Sequence, residues 1–227
     1  MKITYLGHAT LLIETAGKKL IVDPFISGNP LIKDRVLPEN IEVDYILITH
    51  AHEDHVLDVE AIAENNPMAK IISNFEIVTY FSKFGIEGHP MNHGGSWNFD
   101  FGRVTMVNAW HSSSFVDGTY GGNPAGFVIE SDGKSVYVAG DTGLTTDMKL
   151  IPLFTKLDLA VLPIGDNFTM GIDSAVVASD YVECNKVLAY HYDTFGYIEI
   201  DHQKAKDSFA KSGKELIMLP IGGNLEI

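Results

Sequence analysis

Residues 43–55 read VDYILITHAHEDH, an apolar run that leads into three histidines and two carboxylates within its last seven positions. The run has the length and composition of a buried β-strand. Neutral imidazole and carboxylate are ordinary ligands for zinc and similar divalent ions. His50 and His52 lie two apart just past a strand and can point to the same side, while Asp54 and His55 can face a neighbouring position. The stretch predicts half of a metal site.

The alternative interpretation of the same stretch is a solvated loop that caps the next helix. Glu53 and Asp54 suit a helix N-terminus, because the partial positive charge there stabilises carboxylates. Three histidines and an aspartate at this spacing after a buried strand favour the metal site over the charged loop. The stretch supplies at most two ligands to each of two ions, so a complete site needs ligands from elsewhere in the chain.

Strand-length apolar runs recur along the chain, with helical periodicity between them. The strand-like runs are KITYL, TLLIET, KKLIVD, VDYILIT, AKIIS, VTMVNA, GFVIES, SVYVAG, LDLAVLP, KVLAY and ELIMLP. Apolar residues recur at spacings of three and four in VLDVEAIAEN, FEIVTYFSKFG, TDMKLIPLF, DSAVVASDYVE and HQKAKDSFAKSG. Many strands with helices between them predict sheets covered by helices, a layered α/β architecture. With 227 residues, 45% hydrophobic content and no linker-like tract, one domain over 1–227 is expected.

The apolar pattern also indicates an internal duplication. Gly17-Lys18 precedes an apolar run that ends at Asp23, and Gly133-Lys134 precedes one that ends near Asp141. In the same way VDYILI matches LDLAVL, and KITYLGH matches VTMVNAWH. The repeat predicts two alike sheet halves whose strand ends meet along one edge, where polar residues would converge.

Charge and cysteine usage narrow the function classes. The chain has 16 basic and 30 acidic residues, a net charge of -14, which would repel a phosphate backbone. MKITYLGHATLLIE lacks the long apolar centre of a secretory signal, and no run approaches the length that spans a bilayer. Cys184 is the single cysteine, which excludes an intramolecular disulfide and predicts a buried small apolar residue. We expect a cytoplasmic protein with a small-molecule substrate and neither nucleic-acid nor membrane partners; homo-oligomerisation stays open.

The pattern His50-x-His52-x-Asp54-His55 resembles the signature of the metallo-β-lactamase superfamily. The resemblance extends over the whole chain, because the later ligands of the superfamily have counterparts in order, each after an apolar run: His111 in NAWHSSS, Asp141 in VAGDTG and His191 in LAYHYDT. Three further motifs resemble a branch of metal-dependent hydrolases related to ascorbate-6-phosphate lactonase: GHAT at 7–10, DPF at 23–25 and GDNFTMG at 165–171.

The resemblance implies a four-layer αββα sandwich of two similar halves, with a binuclear metal centre at one edge. The implied ligand sets are His50, His52 and His111 for one ion, Asp54, His55 and His191 for the other, and Asp141 as the bridge. Zinc is the expected metal for both positions, and manganese or iron would also bind this mixture of histidine and aspartate ligands. The implied reaction is hydrolysis, in which a metal-bound hydroxide attacks a carbonyl or phosphoryl centre of a lactone, ester, thioester, amide or phosphodiester.

Catalytic roles beyond metal binding are assigned to two residues. Asp54 is expected to orient the nucleophile and to pass a proton to the leaving group. His8 ends the first strand and matches His111 in the repeat, so it can reach the metal edge. We expect it to contact substrate or to hydrogen-bond a ligand, with a structural role equally open.

Substrate selection is expected in the loops 25–40, 112–125 and 163–172. Asp166, Asn167 and Phe168 are the candidate substrate-binding residues. Further pocket candidates, each equally compatible with loop packing, are Phe25, Phe115, Tyr120 and Met170. Three histidines are not predicted as ligands: His89 and His93 in the turn-like GHPMNHGGS, and His202 at the exposed start of the last helix.

Other members of the superfamily fit the sequence less well. True β-lactamases of this fold use a cysteine ligand and are exported, and tRNA-processing endonucleases act on a long polyanion. The runner-up within the same class is a phosphodiesterase or nuclease. From another class, a diiron redox enzyme is disfavoured because His52 and His55 are both histidine where the flavo-diiron relatives use carboxylates.

Overall fold

Two mixed β-sheets pack face to face in the computed structural model of the protein, which describes residues 1–32 and 36–227. Helices cover the outer side of each sheet. The loop 25–40, which we expected to contribute to substrate selection, is therefore described only in part, because residues 33–35 lie outside the described residues.

The elements follow one another in short segments. The strands of the first half are β1 (Lys2–Gly7), β2 (Thr10–Thr15), β3 (Lys18–Val22), β4 (Tyr45–Leu47), β5 (Lys70–Asn74) and β6 (Gly88–Met91). The helices of this half are α1 (Glu53–Val56), α2 (Val59–Asn65) and α3 (Phe75–Ser82). The later strands are β7 (Ser96–Phe99), β8 (Gly102–Asn108), β9 (Ala125–Ser131), β10 (Lys134–Val138), β11 (Leu159–Pro163), β12 (Lys186–Tyr190), β13 (Glu215–Ile217) and β14 (Asn224–Glu226). The later helices are α4 (Ile172–Tyr181) and α5 (His202–Lys211).

The two sheets have the same strand order. The first is β14-β1-β2-β3-β4-β5-β6, and the second, read from its other end, is β7-β8-β9-β10-β11-β12-β13. In each sheet a hairpin is followed by parallel strands: β2 and β3 are antiparallel, as are β9 and β10, whereas β3 to β6 and β10 to β13 run parallel. The prediction of two alike halves is confirmed.

Three apolar layers hold the sandwich together, as the alternation of side chains along each strand requires. The central layer lies between the sheets and takes side chains from both, such as Leu47 and Ile72 facing Phe127 and Val161. The second layer joins the first sheet to α2 and α3, and the third joins the second sheet to α4 and α5. The predicted αββα architecture is therefore confirmed.

The duplication extends to single hydrogen bonds. Asp44 accepts a hydrogen bond from the backbone N–H of Lys19 through Oδ2 at 2.9 Å, and its own N–H donates to the Lys19 carbonyl at 2.8 Å. Asp158 makes the same pair of contacts with Ser135, at 2.9 and 2.8 Å. Each aspartate therefore fixes the register between a hairpin and the parallel strand beside it.

Several details differ from the sequence-based expectation. GHPMNHGGS is not only a turn, because its first residues form β6 and pair with β5. SWNF and NLE form the edge strands β7 and β14, which we did not predict. The segment TDMKLIPLF forms a 3-10 helix (Thr146–Leu153), consistent with Pro152 lacking the N–H of an α-helical hydrogen bond. Cys184 is buried as expected, and no helix of the described segments is long and apolar enough to cross a membrane.

Because Asp44 and Asp158 occupy equivalent places, their removal should cost similar stability. We expect Asp44→Ala and Asp158→Ala each to lower the free energy of unfolding by about 1 kcal/mol, since each deletes a charge-assisted hydrogen bond at a half-exposed position. The double variant should show the sum within about 0.5 kcal/mol, because the two sites share no partner. Urea unfolding of the three variants measures this. A strongly unequal pair of losses would contradict the equivalence of the two halves.

Candidate metal centre

The strand ends of both sheets meet at one edge, and the polar residues that follow them converge there. His8 follows β1, Asp23 follows β3, and His191 follows β12. Two backbone hydrogen bonds join the sheets at this edge: His191 N–H donates to the His8 carbonyl at 2.8 Å, and Ala125 N–H donates to the Thr49 carbonyl at 3.0 Å. Residues far apart in the chain are thereby held within reach of one another.

The HAHEDH segment turns directly from β4 into a short helix. His52 is the residue before α1, and Asp54 and His55 lie in this single turn. The helix predicted over VLDVEAIAEN is the separate α2, which begins at Val59. His50 is fully buried, and its Nε2 lies 3.0 Å from His52 Nδ1. His52 also contacts the Ser112 hydroxyl through Nε2 at 3.2 Å.

A buried carboxylate orients two of these histidines. Asp23 accepts hydrogen bonds from the Thr49 N–H at 2.8 Å and the Thr49 hydroxyl at 2.7 Å, and its Oδ2 lies 2.9 Å from His55 Nδ1. The Thr49 hydroxyl also lies 3.0 Å from His50 Nδ1. Nδ1 of His55 is therefore the protonated nitrogen facing the carboxylate, which directs Nε2 of the ring into the site.

Asp141 lies at the centre of the cluster. Its Oδ2 is 3.0 Å from Nε2 of His191, 3.4 Å from that of His55, 3.6 Å from that of His111 and 4.0 Å from that of His50. Gly140 makes this placement possible, because its φ is +68° and a Cβ there would lie 2.5 Å from the Ala125 carbonyl oxygen. Asp141 is thus a buried carboxylate shared by histidines from both halves.

His8 contacts the cluster from its first-half side. Its Nε2 lies 2.9 Å from Asp54 Oδ2, and its Nδ1 lies 3.0 Å from the Thr194 hydroxyl. The ring centroid is 4.1 Å from that of His191. Both ring nitrogens of His8 are therefore engaged, which agrees with the expectation that it hydrogen-bonds a ligand.

Burial and mutual proximity shift the pKa values of the cluster. Burial lowers the pKa of His50 well below its usual value and also lowers the pKa of His52 and His111, which favours the neutral imidazole that binds metal. Burial and the neighbouring His191 lower the pKa of His8 to about 4. His8 is therefore neutral at pH 7, with the proton on the Nε2 that faces the Asp54 carboxylate.

The carboxylates respond in the opposite way. Burial by itself would raise the pKa of Asp141, but His191 and His55 outweigh it and hold that pKa well below its usual range. Burial would likewise raise the pKa of Asp54, and His55 and His8 lower it overall. Burial opposes a charge on His55, yet Asp141, Asp23 and Asp54 raise its pKa well above the usual value. The three carboxylates therefore favour positive charge between them, on His55 or on a bound cation.

The donor atoms fit divalent metal ions. His50, His52 and His111 offer ring nitrogens that all lie within 4.8 Å of one another, and the same limit holds for Asp54, His55 and His191 together with His8, and for His50, His55 and Asp141. Four buried atoms of the cluster have no aligned hydrogen-bond partner: His55 Nε2, Asp141 Oδ1 and both ring nitrogens of His191, although His191 Nε2 lies 3.0 Å from Asp141 Oδ2. Leaving such atoms unpaired costs about 1–3 kcal/mol each, a penalty that coordination would remove.

The structure thus brings together all seven residues that the sequence indicated as ligands. Asp166, Asn167 and Phe168 lie on a loop whose Met170 N–H donates to the Thr142 carbonyl at 2.9 Å, one residue after Asp141. The loop is exposed at all three positions. Of the further pocket candidates, Phe25 contacts the His8 ring, with centroids 5.3 Å apart.

The remaining candidates have other roles. Phe115 stacks on Tyr80 and Met170 is part of the outer core, so both are packing residues. Tyr120 is exposed and its hydroxyl donates to Asn123. His89 packs against Trp97 and Phe99, His93 contacts the Pro124 carbonyl, and His202 is exposed beside Asp193. None of these three histidines belongs to the groups of donor atoms.

Sequence reasoning missed three residues that support the ligands. Asp23 stood in the quoted DPF motif but received no role, although an isolated aspartate directly after an apolar strand was a usable signal. Thr49 and Thr194 carried no signal, because a single threonine next to a histidine is common. Their hydroxyls matter only through the neighbours that the fold gives them.

Comparison with known proteins agrees with this geometry. The family model of the Beta-lactamase superfamily domain matches residues 2–191. A UPF0173 metal-dependent hydrolase of Flavobacterium johnsoniae is 61% identical over 227 residues, which is 100% of both chains. The solved structure of Igni18, a metallo hydrolase from the archaeon Ignicoccus hospitalis, has 34% identity and a TM-score of 0.88, covering 100% of this chain and 98% of that one.

A more distant solved structure shares only the fold. CmlA, a diiron β-hydroxylase from Streptomyces venezuelae, has a TM-score of 0.78 at 15% identity and covers 100% of this chain and 54% of its own. The extent of the family match and the identity to full-length relatives decide the classification. The chain belongs to the β-lactamase superfamily and, within it, to the family of UPF0173 metal-dependent hydrolases.

Proposed function

We propose that the protein is a binuclear metal-dependent hydrolase that adds water to a carbonyl or phosphoryl centre of a small molecule. One observation carries the proposal: two sets of histidine nitrogens flank a single buried carboxylate, Asp141, that is within 4.0 Å of members of both sets. His50, His52 and His111 would hold one ion, and Asp54, His55 and His191 the other. Zinc ions bound there would act as Lewis acids and would lower the pKa of water from 15.7 to about 7.

Asp54 is the residue of the cluster best placed to move a proton. Its side chain remains partly exposed, unlike that of Asp141, so it can reach both the site and incoming solvent. In the proposed reaction the water oxygen bonds to the electrophilic centre, and the bond to the leaving group breaks with its electron pair. Asp54 would accept the proton from water and return it to the leaving group.

His8 would position Asp54. Because the neutral His8 ring places its N–H on Asp54 Oδ2, at 2.9 Å, the orientation of that carboxylate is fixed. The Thr194 hydroxyl holds the opposite ring nitrogen and so fixes the tautomer. The left-handed backbone of His8, with φ of 53°, supports a functional role, since strained residues collect at active sites.

Two alternative functions share parts of this geometry. A phosphodiesterase or nuclease would use the same ligands, but the net charge of -14 disfavours a long polyanion. A diiron redox enzyme is a second class, because a diiron β-hydroxylase has the same fold. Five of the seven predicted ligands here are histidines, a donor set that suits zinc, which supports hydrolysis over that class.

Metal binding should stabilise the protein strongly. Ligands bound a thousandfold above their dissociation constant add about 4 kcal/mol of stability, which corresponds to a rise of about 8–16 °C in Tm for a domain of this size. We expect this rise when chelator-treated protein receives zinc or manganese, with close to two ions per chain by elemental analysis. His52→Ala should lose the ion that His50, His52 and His111 would hold, and hydrolysis with it. Stoichiometric iron with visible absorption would contradict the proposal.

Replacing His8 should impair turnover without removing the ions. His8→Phe keeps the ring volume but loses the N–H on Asp54, and we expect kcat to fall about 10- to 100-fold. His8→Gln retains an N–H donor and should recover part of kcat. Steady-state kinetics, with metal content and Tm of both variants, provide the measurement. Equal losses of kcat in the two variants would indicate a purely structural histidine.

Asp23→Asn tests the support of His55. Asparagine tolerates the left-handed backbone, with φ of 44°, so the fold should persist. The asparagine amide would place N–H donors against the donors of Thr49 and His55. The His55 ring would then lose the acceptor that fixes its tautomer. We expect metal affinity to fall about 10- to 100-fold, measured by competition with a chromophoric chelator. Unchanged affinity would show that Asp23 serves the fold alone.

A further inference from the structure

An arc of exposed apolar side chains runs along the metal edge, from beside His111 to beside His8. Its members are Trp110, Leu144, Phe168, Tyr197 and Phe195, all exposed. Single exposed apolar residues are ordinary on protein surfaces, but a contiguous row of them marks a binding surface. Four of its five members lie within six residues of a predicted ligand, His111, Asp141 or His191, so the arc borders the candidate metal centre.

Backbone hydrogen bonds and one ring contact bring the segments that carry the arc next to one another. Gly143 N–H donates to the Trp110 carbonyl at 3.0 Å, which places Trp110 next to the segment that bears Leu144. Met170 N–H donates to the Thr142 carbonyl, which brings the Phe168 loop alongside that segment. The rings of Phe168 and Tyr197 lie 6.2 Å apart.

The far end of the arc reaches the cluster itself. The Phe195 ring lies 5.3 Å from that of His8 and 6.1 Å from that of Phe25. Phe25 is buried against His8, so the apolar surface continues inward to the residue that holds Asp54. An apolar group lying on the arc would therefore have one end next to the metal ligands.

The charges around the arc disfavour an anionic ligand. The segments 109–112, 141–145, 165–171 and 191–198 contain no lysine or arginine, and they carry the acidic residues Asp166 and Asp193 besides the ligand Asp141. Many lysines of the chain stand at the opposite edge, at the strand starts: Lys18 begins β3, Lys70 begins β5, Lys134 begins β10 and Lys186 begins β12. This part of the rim offers aromatic surface and no cation.

We propose that the arc binds the apolar portion of the substrate, so that the substrate class is an uncharged carboxylic ester or lactone with a long alkyl or aromatic group. This inference rests on the proposed function and narrows it from carbonyl or phosphoryl centres to apolar acyl compounds. The step consumes one water: its oxygen bonds to the acyl carbon, the acyl C–O bond breaks, and the alcohol leaves with one proton.

Binding can be measured apart from turnover by the fluorescence of Trp110. The chain has two tryptophans, and Trp97→Phe leaves Trp110 as the reporter. The probes are acetyl, butyryl, hexanoyl and octanoyl hydroxamates added to the metal-loaded protein. We expect Kd to fall about two- to fourfold for each added methylene, the gain from burying apolar surface, with a blue shift of Trp110 emission. Affinity that does not change with chain length would overturn the proposal.

Turnover provides the second arm. We expect kcat/KM for p-nitrophenyl octanoate to exceed that for p-nitrophenyl acetate, and bis(p-nitrophenyl) phosphate to be a poor substrate. Phe168→Asp should lower the octanoate-to-acetate ratio about tenfold. Phe84→Asp is the matched control, because Phe84 is 51% exposed against 52% for Phe168 but lies just past α3, away from the site, and it should keep the wild-type ratio.

The outcomes separate the inference from the proposed function. If hydroxamate affinity rises with chain length but no ester is hydrolysed, the proposed hydrolase function is wrong and the apolar binding site is retained. Hydrolysis with a flat ratio, or a preference for the phosphodiester, would overturn the inference and leave the hydrolase intact. A dimer in sedimentation experiments that Phe168→Asp dissociates would assign the arc to a second copy of the chain and would also overturn the inference.

Discussion

The buried carboxylate of Asp23 is the contact on which the metal edge depends. It accepts hydrogen bonds from both the N–H and the hydroxyl of Thr49 and faces Nδ1 of His55, and Thr49 in turn contacts His50. A fully buried carboxylate is tolerated only when its oxygens are satisfied, and here the donors that satisfy it belong to the ligand segment. Aligning these donors fixes the path of the chain from the end of β4 into α1. The positions of His50 and His55 therefore depend on the hydrogen bonds that satisfy the buried Asp23 carboxylate.

The cluster itself resists assembly without a cation. Nε2 of His55 and both nitrogens of His191 are buried without aligned hydrogen-bond partners, and Asp141 and Asp54 place negative charge between and beside them. Three residues at this edge, His8, Asp23 and His191, also adopt left-handed backbone with φ between 44° and 55°, which costs of the order of 1–3 kcal/mol each. The apolar layers of the sandwich outweigh these local penalties. The free energy that holds the candidate ligands in place at this edge therefore comes from apolar packing in the core.

The sequence was informative where chemistry is dense and periodicity is strong. VDYILITHAHEDH identified β4 and four candidate ligands, because several ligating side chains rarely collect after a buried strand without a function. His111, Asp141 and His191 were located by resemblance to a family, since a lone histidine or aspartate after a strand has no signature of its own. The edge strands β7 and β14 were missed because SWNF and NLE are short and weakly apolar. β14 also pairs with β1, at the opposite end of the chain, whereas β7 pairs with the adjacent strand β8.

The residues that hydrogen-bond the candidate ligands could not be predicted from the sequence either, for a different physical reason. The hydroxyl of Thr194 can fix the His8 tautomer only because β1 and β12 end side by side in different sheets, a relation set by tertiary packing. Similarly, the row from Trp110 to Phe195 takes its members from four segments that are separate in the chain. Local composition cannot reveal a surface of this kind.

The duplicated topology explains why the two halves supply different parts of the site. Equivalent strand ends bear His8 and His111, Asp23 and Asp141, and Asn74 and His191. In each pair the second-half residue joins the cluster as a predicted ligand, and the first-half residue supports it or the loops around it: Asn74 donates to the Gly121 carbonyl and caps α3. The relation reverses after the equivalent strands β4 and β11. There the first half carries HAHEDH and the second carries GDNFTMG, the loop that bears Phe168. Two copies of one scaffold thus carry different loops at equivalent positions: the first-half loop bears four of the predicted ligands, and the second-half loop bears Phe168 and none of them.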